Sequence, residues 1–521
     1  GVASEGGAVD LIGSWIGGNV PTAIIVPMFV LLSGFMSVFS AGSSVVVPTL
    51  FVLVPSVLTT AVGVNYHALY AGIAIGANAS AVSPFSGGGS LTLANIKQDD
   101  IREKMFLPLI LSAAALVLVA AVLGALGPGL LTALAGMDAG GVATFSNAGA
   151  VFGYEQLWSI PVMCFLLIVV QETAARMGCV TGKGFAALIR EQYGVRLSAF
   201  AMLALIVSNT AVTLSEFAGI ASGMQLFGVP TIISVPIAAI AVWLLGMSGS
   251  YKRIEKILLA IGCVFVTYVA ASFMVGPDWG EVVKSTFMPQ VNVTPAYVSL
   301  LVANIGTTIS PYMIFMGQGN VVEKNCDAND LPYQRIDTVS GAVVAQLIAF
   351  FIVVCTGSVL HPAGIAVNSA EDAARALAPL AGPYAEVLFG VGLVGASFLA
   401  ACVLPGITSS AVCEAFGWER GQDKSWSEAP AYRGMVTAIT LLSAVVVLLP
   451  GVDLFGIMMV AQVINGVLLP VLLVFMVRIA DDRHVMGAYA NGRAWTALTW
   501  LIVVVVAILT VVMFVLQALG Y

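Results

Sequence analysis

Leu130-Leu131-Thr132-Ala133-Leu134-Ala135-Gly136-Met137-Asp138-Ala139-Gly140-Gly141-Val142 is an apolar run interrupted by one carboxylate and a glycine pair. Far downstream, Asn304-Ile305-Gly306-Thr307-Thr308-Ile309-Ser310-Pro311-Tyr312 interrupts a second run with hydroxyls and a proline. A carboxylate in mid-span costs at least ~2.5–3.5 kcal/mol on insertion scales, so Asp138 marks a functional position. The Gly-Gly pair can leave helical geometry cheaply, which predicts freed carbonyls facing a cation. Pro311 lacks a backbone donor and clashes with the carbonyl four residues back, so the second helix is predicted to open near Thr307 and Ser310, whose hydroxyls are oxygen ligands. Each break alone has a plainer reading, a carboxylate satisfied by a neighbouring Ser or Thr and a proline kink with no ligand role. Their matching places in two halves of the chain argue for a binding site near the bilayer midplane.

Composition sets the class in which those breaks have meaning. Hydrophobic residues make up 59% of the 521 positions and charged residues only 9%, with a mean hydropathy of +1.01. Soluble domains carry about 25% charge, so this is an integral membrane protein. The apolar runs are long enough to cross ~30 Å of hydrocarbon as helices and lack the alternation of barrel strands. An all-α bundle follows. The net charge of −7 says little about topology, which follows the placement of Lys and Arg. Nothing supports nucleic-acid binding. The seven cysteines include Cys164, Cys263, Cys355 and Cys402 inside apolar runs, with no CxxC or Cys/His cluster, and read as small packing residues. His67, His361 and His484 are isolated loop or interface residues. Without a signal peptide of the usual form, the stretch before Ile16 reads as a loop of something longer.

From Gly127 onward eleven spans are predicted, near 129–150, 155–175, 198–222, 229–247, 254–275, 296–322, 338–357, 385–413, 432–449, 453–478 and 493–519. Even-numbered loops carry the cations: Arg176, Lys183, Arg190 and Arg196; Lys252, Arg253 and Lys256; Lys324 and Arg335; Arg420, Lys424 and Arg433; Arg478, Arg483 and Arg493. Odd-numbered loops hold only Lys284 and Arg375. The asymmetry predicts a multi-pass protein of the cell membrane with the start of span 1 in the cytoplasm.

The first 126 residues differ in kind. Apolar runs near 20–39, 45–58, 66–78 and 105–126 flank a small-residue stretch, Gly76-Ala77-Asn78-Ala79-Ser80-Ala81-Val82-Ser83-Pro84-Phe85-Ser86-Gly87-Gly88-Gly89. Its Asn, Ser, Pro and Gly content suits a re-entrant or unwound segment beside a polar cavity, and equally a flexible membrane loop. The part resembles the C-terminal end of dicarboxylate carriers of the ion-transporter superfamily. Lys97, Arg102 and Lys104 conflict with an immediately following span that begins in the cytoplasm, so residues 1–126 read as a fragment joined to a domain of residues 127–521.

Several further stretches carry a second resemblance: Leu126-Gly127-Pro128-Gly129, Gln171-Glu172-Thr173-Ala174-Ala175-Arg176-Met177-Gly178, Thr181-Gly182-Lys183, Glu216, and Gln462 followed by Leu469-Pro470. Residues 127–521 resemble the Nramp family of divalent-metal transporters. The resemblance implies a LeuT-type fold, two inverted five-helix repeats plus an eleventh helix, with helices 1 and 6 discontinuous. The family's Asp-Pro-Gly-Asn element stands here as Asp138-Ala139-Gly140-Gly141, and its Met-Pro-His element as Ser310-Pro311-Tyr312. Loss of a soft thioether and an amide ligand favours hard oxygen donors, which suit Mg²⁺, and the combination is similar to the magnesium-transporting branch. The resemblance then implies a cation held by Asp138, the carbonyls of Ala135 and Gly141, Thr307, Ser310 and the amide oxygen of Gln462. Where the family relays protons through an Asp and two His, this chain has Thr213, Tyr312 and Gly317, leaving Glu216 alone and implying uncoupled import.

The expectation is therefore a monomeric secondary transporter of Mg²⁺, with Mn²⁺ next, needing no resident cofactor. A LeuT-type permease for amino acids or other small solutes, a channel, and an enzyme are the competing classes. No phosphate loop, metal-hydrolase spacing or nucleophile elbow occurs in a suitable context for the last.

Overall fold

The computed structural model describes residues 8–20, 22–39, 46–60, 66–79 and 83, then 138–248, 263–422 and 424–519. The chain divides into two compact units, Gly1–Leu130 and Leu131–Tyr521. Every regular element among the described residues is helical.

In the first unit, α1 (Ala8–Asn19), α2 (Thr22–Phe39), α3 (Val47–Phe51), α4 (Val54–Thr60) and α5 (Tyr66–Ala79) occupy three of the four apolar runs. Ile25, Phe29, Val46, Leu50, Val54, Leu69 and Ile73 form their common core. Of the small-residue stretch, residues 76–79 finish α5 as helix. Apart from Ser83, its remainder lies outside the described residues, as do Lys97, Arg102, Lys104 and the 105–126 run.

The second unit contains α6 (Ala139–Phe152), α7 (Ser159–Thr181), α8 (Phe185–Gln225), α9 (Thr231–Ser248), α10 (Thr267–Val275) and α11 (Trp279–Phe287). It continues with α12 (Pro295–Thr308), α13 (Pro311–Glu323), α14 (Leu331–Val359), α15 (Ala370–Arg375), α16 (Ala378–Ala381), α17 (Ala385–Phe416), α18 (Pro430–Val447), α19 (Leu454–Asp481), α20 (Arg483–Met486) and α21 (Arg493–Ala518). Among the described residues, eight helical stretches are long and apolar enough to cross a membrane. Outward-facing Phe200, Leu203, Ile237, Ile240, Leu441, Val445, Leu501, Ile508 and Phe514 form an apolar surface that water would penalise and lipid accepts. Helix α8 begins well before span 3. Gly194, at φ 70°, kinks it in a conformation that favours glycine, and separates a charged first segment from the apolar remainder.

Of the two predicted discontinuities, that of span 6 lies wholly within the described residues and is present. The second helix stops at Thr308, passes through Ile309 (φ −119°, ψ 63°) and Ser310 (φ −67°, ψ 138°), and restarts at Pro311. Proline at the first position of the new half-helix gives up a donor that had no intrahelical acceptor there. In span 1 the described residues begin at Asp138, extended at φ −75°, ψ 173°, and the helix begins at Ala139; the preceding residues 131–137 lie outside them. Gly140 and Gly141 are thus helical rather than unwound.

Packing follows an exchange rule expected of two repeats. Helix α6 packs on α14 while α13, its counterpart, packs on α7; α8 runs against both α17 and α19. With the break in span 6, this is the LeuT-type arrangement. Helices α12 and α19 cross at Gly306 and Gly466, where a Cβ on Gly306 would overlap Gln462 O and Gly466 N. The half-helix of span 6 is therefore seated backbone to backbone on span 10.

Charged loops gather at one end of the bundle. Glu172 holds Arg176 at 3.2 Å and Arg335 at 2.8 Å. Arg176 donates to Tyr489 O and to Asn491 Oδ1, both at 2.6 Å. Arg433 donates to Met247 O at 3.4 Å, and Glu414 lies against Gly184. These contacts link four of the even-numbered loops with one another and with the end of α9; Lys252, Arg253 and Lys256 of the remaining loop lie outside the described residues. At the other end, Tyr154 OH meets Ser358 Oγ at 2.7 Å and Gln156 Nε2 donates to Tyr297 O at 3.1 Å. Cys164, Cys179, Cys326, Cys355, Cys402 and Cys413 are unbridged, and His361 contacts Ala150 O at 3.0 Å.

Candidate functional site

Asp138 is the N-cap of α6. Its Oδ1 accepts from Gly141 N at 2.6 Å and from Thr307 Oγ1 at 3.4 Å. The second bond joins the start of α6 to the break in span 6. Asp138 is 1% exposed, and its Oδ2 has no hydrogen-bond partner among the described residues. A buried carboxylate oxygen left open carries a desolvation cost that a cation would remove.

Gly141 supplies the opposite group from the one expected. At a helix N-terminus the free backbone groups are N–H, and carbonyls point along the axis into the helix. Accordingly Gly141 offers its N–H to Asp138, while the carbonyls of Gly140 and Gly141 accept from Thr144 Oγ1 at 2.9 and 3.1 Å. Gly141 is not placed as a carbonyl ligand. Backbone oxygens at this break can come only from residues before Asp138, and Ala135 lies outside the described residues.

On the facing half-helix, Ser310 Oγ donates to Gly306 O at 2.9 Å, with Thr307 O at 3.3 Å. The hydroxyl thereby caps carbonyls that Pro311 left open. Asn465 Nδ2 approaches Ser310 Oγ at 3.1 Å, Gln462 Oε1 at 3.2 Å and Gly306 O at 3.4 Å, and Ser208 Oγ donates to Asn465 Oδ1. Gln462 does reach the break, yet with its amide nitrogen. Nε2 lies where a Cβ on Gly140 would stand and has no hydrogen-bond partner among the described residues, while the oxygen expected to face the site is turned to Asn465.

Two residues weigh more than their sequence context suggested. Glu216 Oε2 accepts from Ala139 N at 3.2 Å, so a second carboxylate meets the start of α6 beside Asp138, and its Oε1 is buried without a partner. The first-turn N–H groups of Ala139 and Gly141 are thus both taken by carboxylates, which complement the positive end of the helix. Asn465, three residues after Gln462 on α19, joins that helix to Gly306 and Ser310. Its available signal was a second carboxamide, three residues after Gln462, in the apolar run of α19. Thr213 donates to Asn209 O at 2.7 Å within α8, and Tyr312 is buried.

A helix break, a second helix that starts at a buried carboxylate, and hydroxyls and carboxamides between them, within a bundle of membrane-length helices, define a multi-pass membrane protein with a candidate internal site. The chain belongs to the Nramp family: residues 129–516 match the family described as natural resistance-associated macrophage protein-like. It is 29% identical over 396 residues to the divalent metal cation transporter MntH of Deinococcus radiodurans, covering 73% of this chain and 87% of that one. Similarity to the MntH of Bacillus subtilis is 27% over 400 residues, covering 74% and 90%. Among solved structures, the manganese transporter of Eremococcus coleocola, in complex with an aromatic bis-isothiourea substituted compound, superposes with a TM-score of 0.59 at 21% identity, over 74% of this chain and 84% of that one. At that identity the likeness is one of fold.

Proposed function

We propose that this protein is a secondary transporter that moves hard divalent cations, Mg²⁺ ahead of Mn²⁺, by alternating access and without proton coupling. The observation that carries this reading is Asp138 at the start of α6, whose Oδ1 accepts from Thr307 beside the span 6 break while its buried Oδ2 has no hydrogen-bond partner among the described residues. The named side chains around it are carboxylate, hydroxyl and carboxamide, with no thioether among them. Such a set suits ions of the Mg²⁺ and Mn²⁺ kind more than soft ones. The similar MntH proteins bear the description divalent metal cation transporter, which supports the cation class. The end that gathers Arg176, Arg335 and Arg433 is placed in the cytoplasm by the positive-inside rule. Import then draws on an inside-negative potential, worth about 2.3 kcal/mol per charge per 100 mV. An amino-acid permease fits less well: the N–H groups that would receive a substrate carboxylate already hold Asp138 and Glu216. Residues 1–126 take no part in this reading and are proposed to be a separate membrane segment.

Flux into proteoliposomes of the full chain, recorded with internal pH, tests the proposal. Mg²⁺ uptake that saturates and leaves internal pH unchanged is the expected result. Acidification that tracks Mg²⁺ entry and disappears in Glu216→Gln would overturn the uncoupled mechanism, and amino-acid uptake without divalent flux would overturn the substrate. In the same assay, Ser310→Met introduces a soft ligand and is expected to raise Cd²⁺ and Mn²⁺ uptake relative to Mg²⁺ several-fold. An unchanged ratio would contradict the ligand-softness argument.

A further inference from the structure

Gln462 meets the break with the end of its amide that cannot bind a cation, and the reason lies one turn further along α19. The polarity of the network is set by a main-chain atom. Gly306 O can only accept. Ser310 Oγ spends its hydrogen there at 2.9 Å, and is left as an acceptor for Asn465 Nδ2 at 3.1 Å. Reversing the Asn465 amide would set its Oδ1 against both Gly306 O and the acceptor side of Ser310, two repulsions in a buried setting. Ser208 completes the assignment by donating to Asn465 Oδ1. Asn465 Nδ2 must therefore face Gln462, at 3.2 Å from its Oε1, and the Gln462 amide nitrogen is forced toward Gly140 and Asp138.

That orientation has a chemical consequence. An N–H aimed at the break presents the positive end of a dipole, which favours the nearby Asp138 charge without hydrogen-bonding its Oδ2 and repels a cation. The carbonyl that would otherwise enter the coordination sphere is held outside it, so its place falls to water. An ion that dehydrates reluctantly, as Mg²⁺ does, loses little by this; an ion that sheds water more readily forfeits a protein oxygen.

We infer that Asn465 is a specificity-determining positioning residue, which locks Gln462 with its amide nitrogen toward Asp138 and so keeps the Gln462 oxygen from the transported cation. The inference rests on the transport reading above and deepens it by assigning selectivity to a residue outside the ligand set.

The test is the ratio of kcat/KM for Mn²⁺ to that for Mg²⁺ in proteoliposomes of the full chain. Asn465→Ala releases the Gln462 amide to turn, and the ratio is expected to rise about tenfold, a change the size of one hydrogen bond. In a Gln462→Ala background the same substitution should leave the ratio unmoved, because no amide remains to turn. If Asn465→Ala does not yield folded protein, Asn465→Ser, which can accept from Gln462 as readily as donate to it, is expected to shift the ratio in the same direction. A ratio unchanged by either variant, or a shift that persists without Gln462, overturns the inference and leaves Asn465 a packing residue. Wild-type protein that carries no divalent cation is a separate outcome, since it overturns the transport reading and this inference together.

Discussion

Asp138→Asn is expected to lower divalent-cation uptake at least ~100-fold while the protein remains folded. The substitution separates the two roles of this residue. As N-cap it accepts from Gly141 N at 2.6 Å, and asparagine caps about as well as aspartate, so α6 should still begin at Ala139. What disappears is the negative charge. Even at the effective dielectric of a protein surface, one pair of unit charges at 4 Å is worth about 4 kcal/mol, and a divalent ion doubles the attraction that is lost. The residual interaction with an amide oxygen recovers part of this, which is why ~100-fold, or about 2.7 kcal/mol, is set as the lower bound. Uptake into proteoliposomes under an imposed potential, with monodispersity in detergent as the check on folding, measures it. Uptake within a few-fold of wild type would mean that the cation is held elsewhere.

Gly306→Ala should be the most damaging single-methyl change in the second unit. Its Cβ would overlap Gln462 O and Gly466 N, and both are backbone atoms that cannot rotate aside. Helices α12 and α19 must separate. Overpacking of this kind costs about 1–3 kcal/mol where side chains can adjust, and a backbone contact leaves less room to adjust. The same separation would draw Gln462 and Asn465 away from Ser310, so uptake should fall together with the unfolding temperature. Gly317→Ala is the control, because nothing lies within 4 Å of its added methyl; it should be neutral or slightly stabilising. Equal melting temperatures for the two variants would show that the α12–α19 crossing is looser than the structure has it.

Much of this architecture was legible in the sequence, and the misses share one cause. Spans near 229–247 and 493–519 became Thr231–Ser248 and Arg493–Ala518, because apolar length alone decides whether a segment spans a membrane. Pro311 marked its break correctly, since a proline cannot continue the hydrogen-bond ladder whatever surrounds it. Gly140 and Gly141 misled because glycine permits an unwound backbone without requiring one, and two carboxylates were available to stabilise the start of a helix there. One of them, Glu216, stands 77 positions away from Ala139 in the chain, so no local pattern could pair them. The orientation of the Gln462 amide was equally out of reach. It depends on Gly306 O, Ser310 and Ser208, which come from two other helices.

Crystals soaked in Mn²⁺ and measured at a wavelength where manganese scatters anomalously would locate the cation directly, and this tests the central claim that a divalent ion sits where the two helices break. The expected result is one strong peak within coordination distance of Asp138 Oδ2, between the start of α6 and Thr307, that weakens when Mg²⁺ is added in excess. A peak at another place in the bundle, or none beside Asp138 at saturating Mn²⁺, would contradict it.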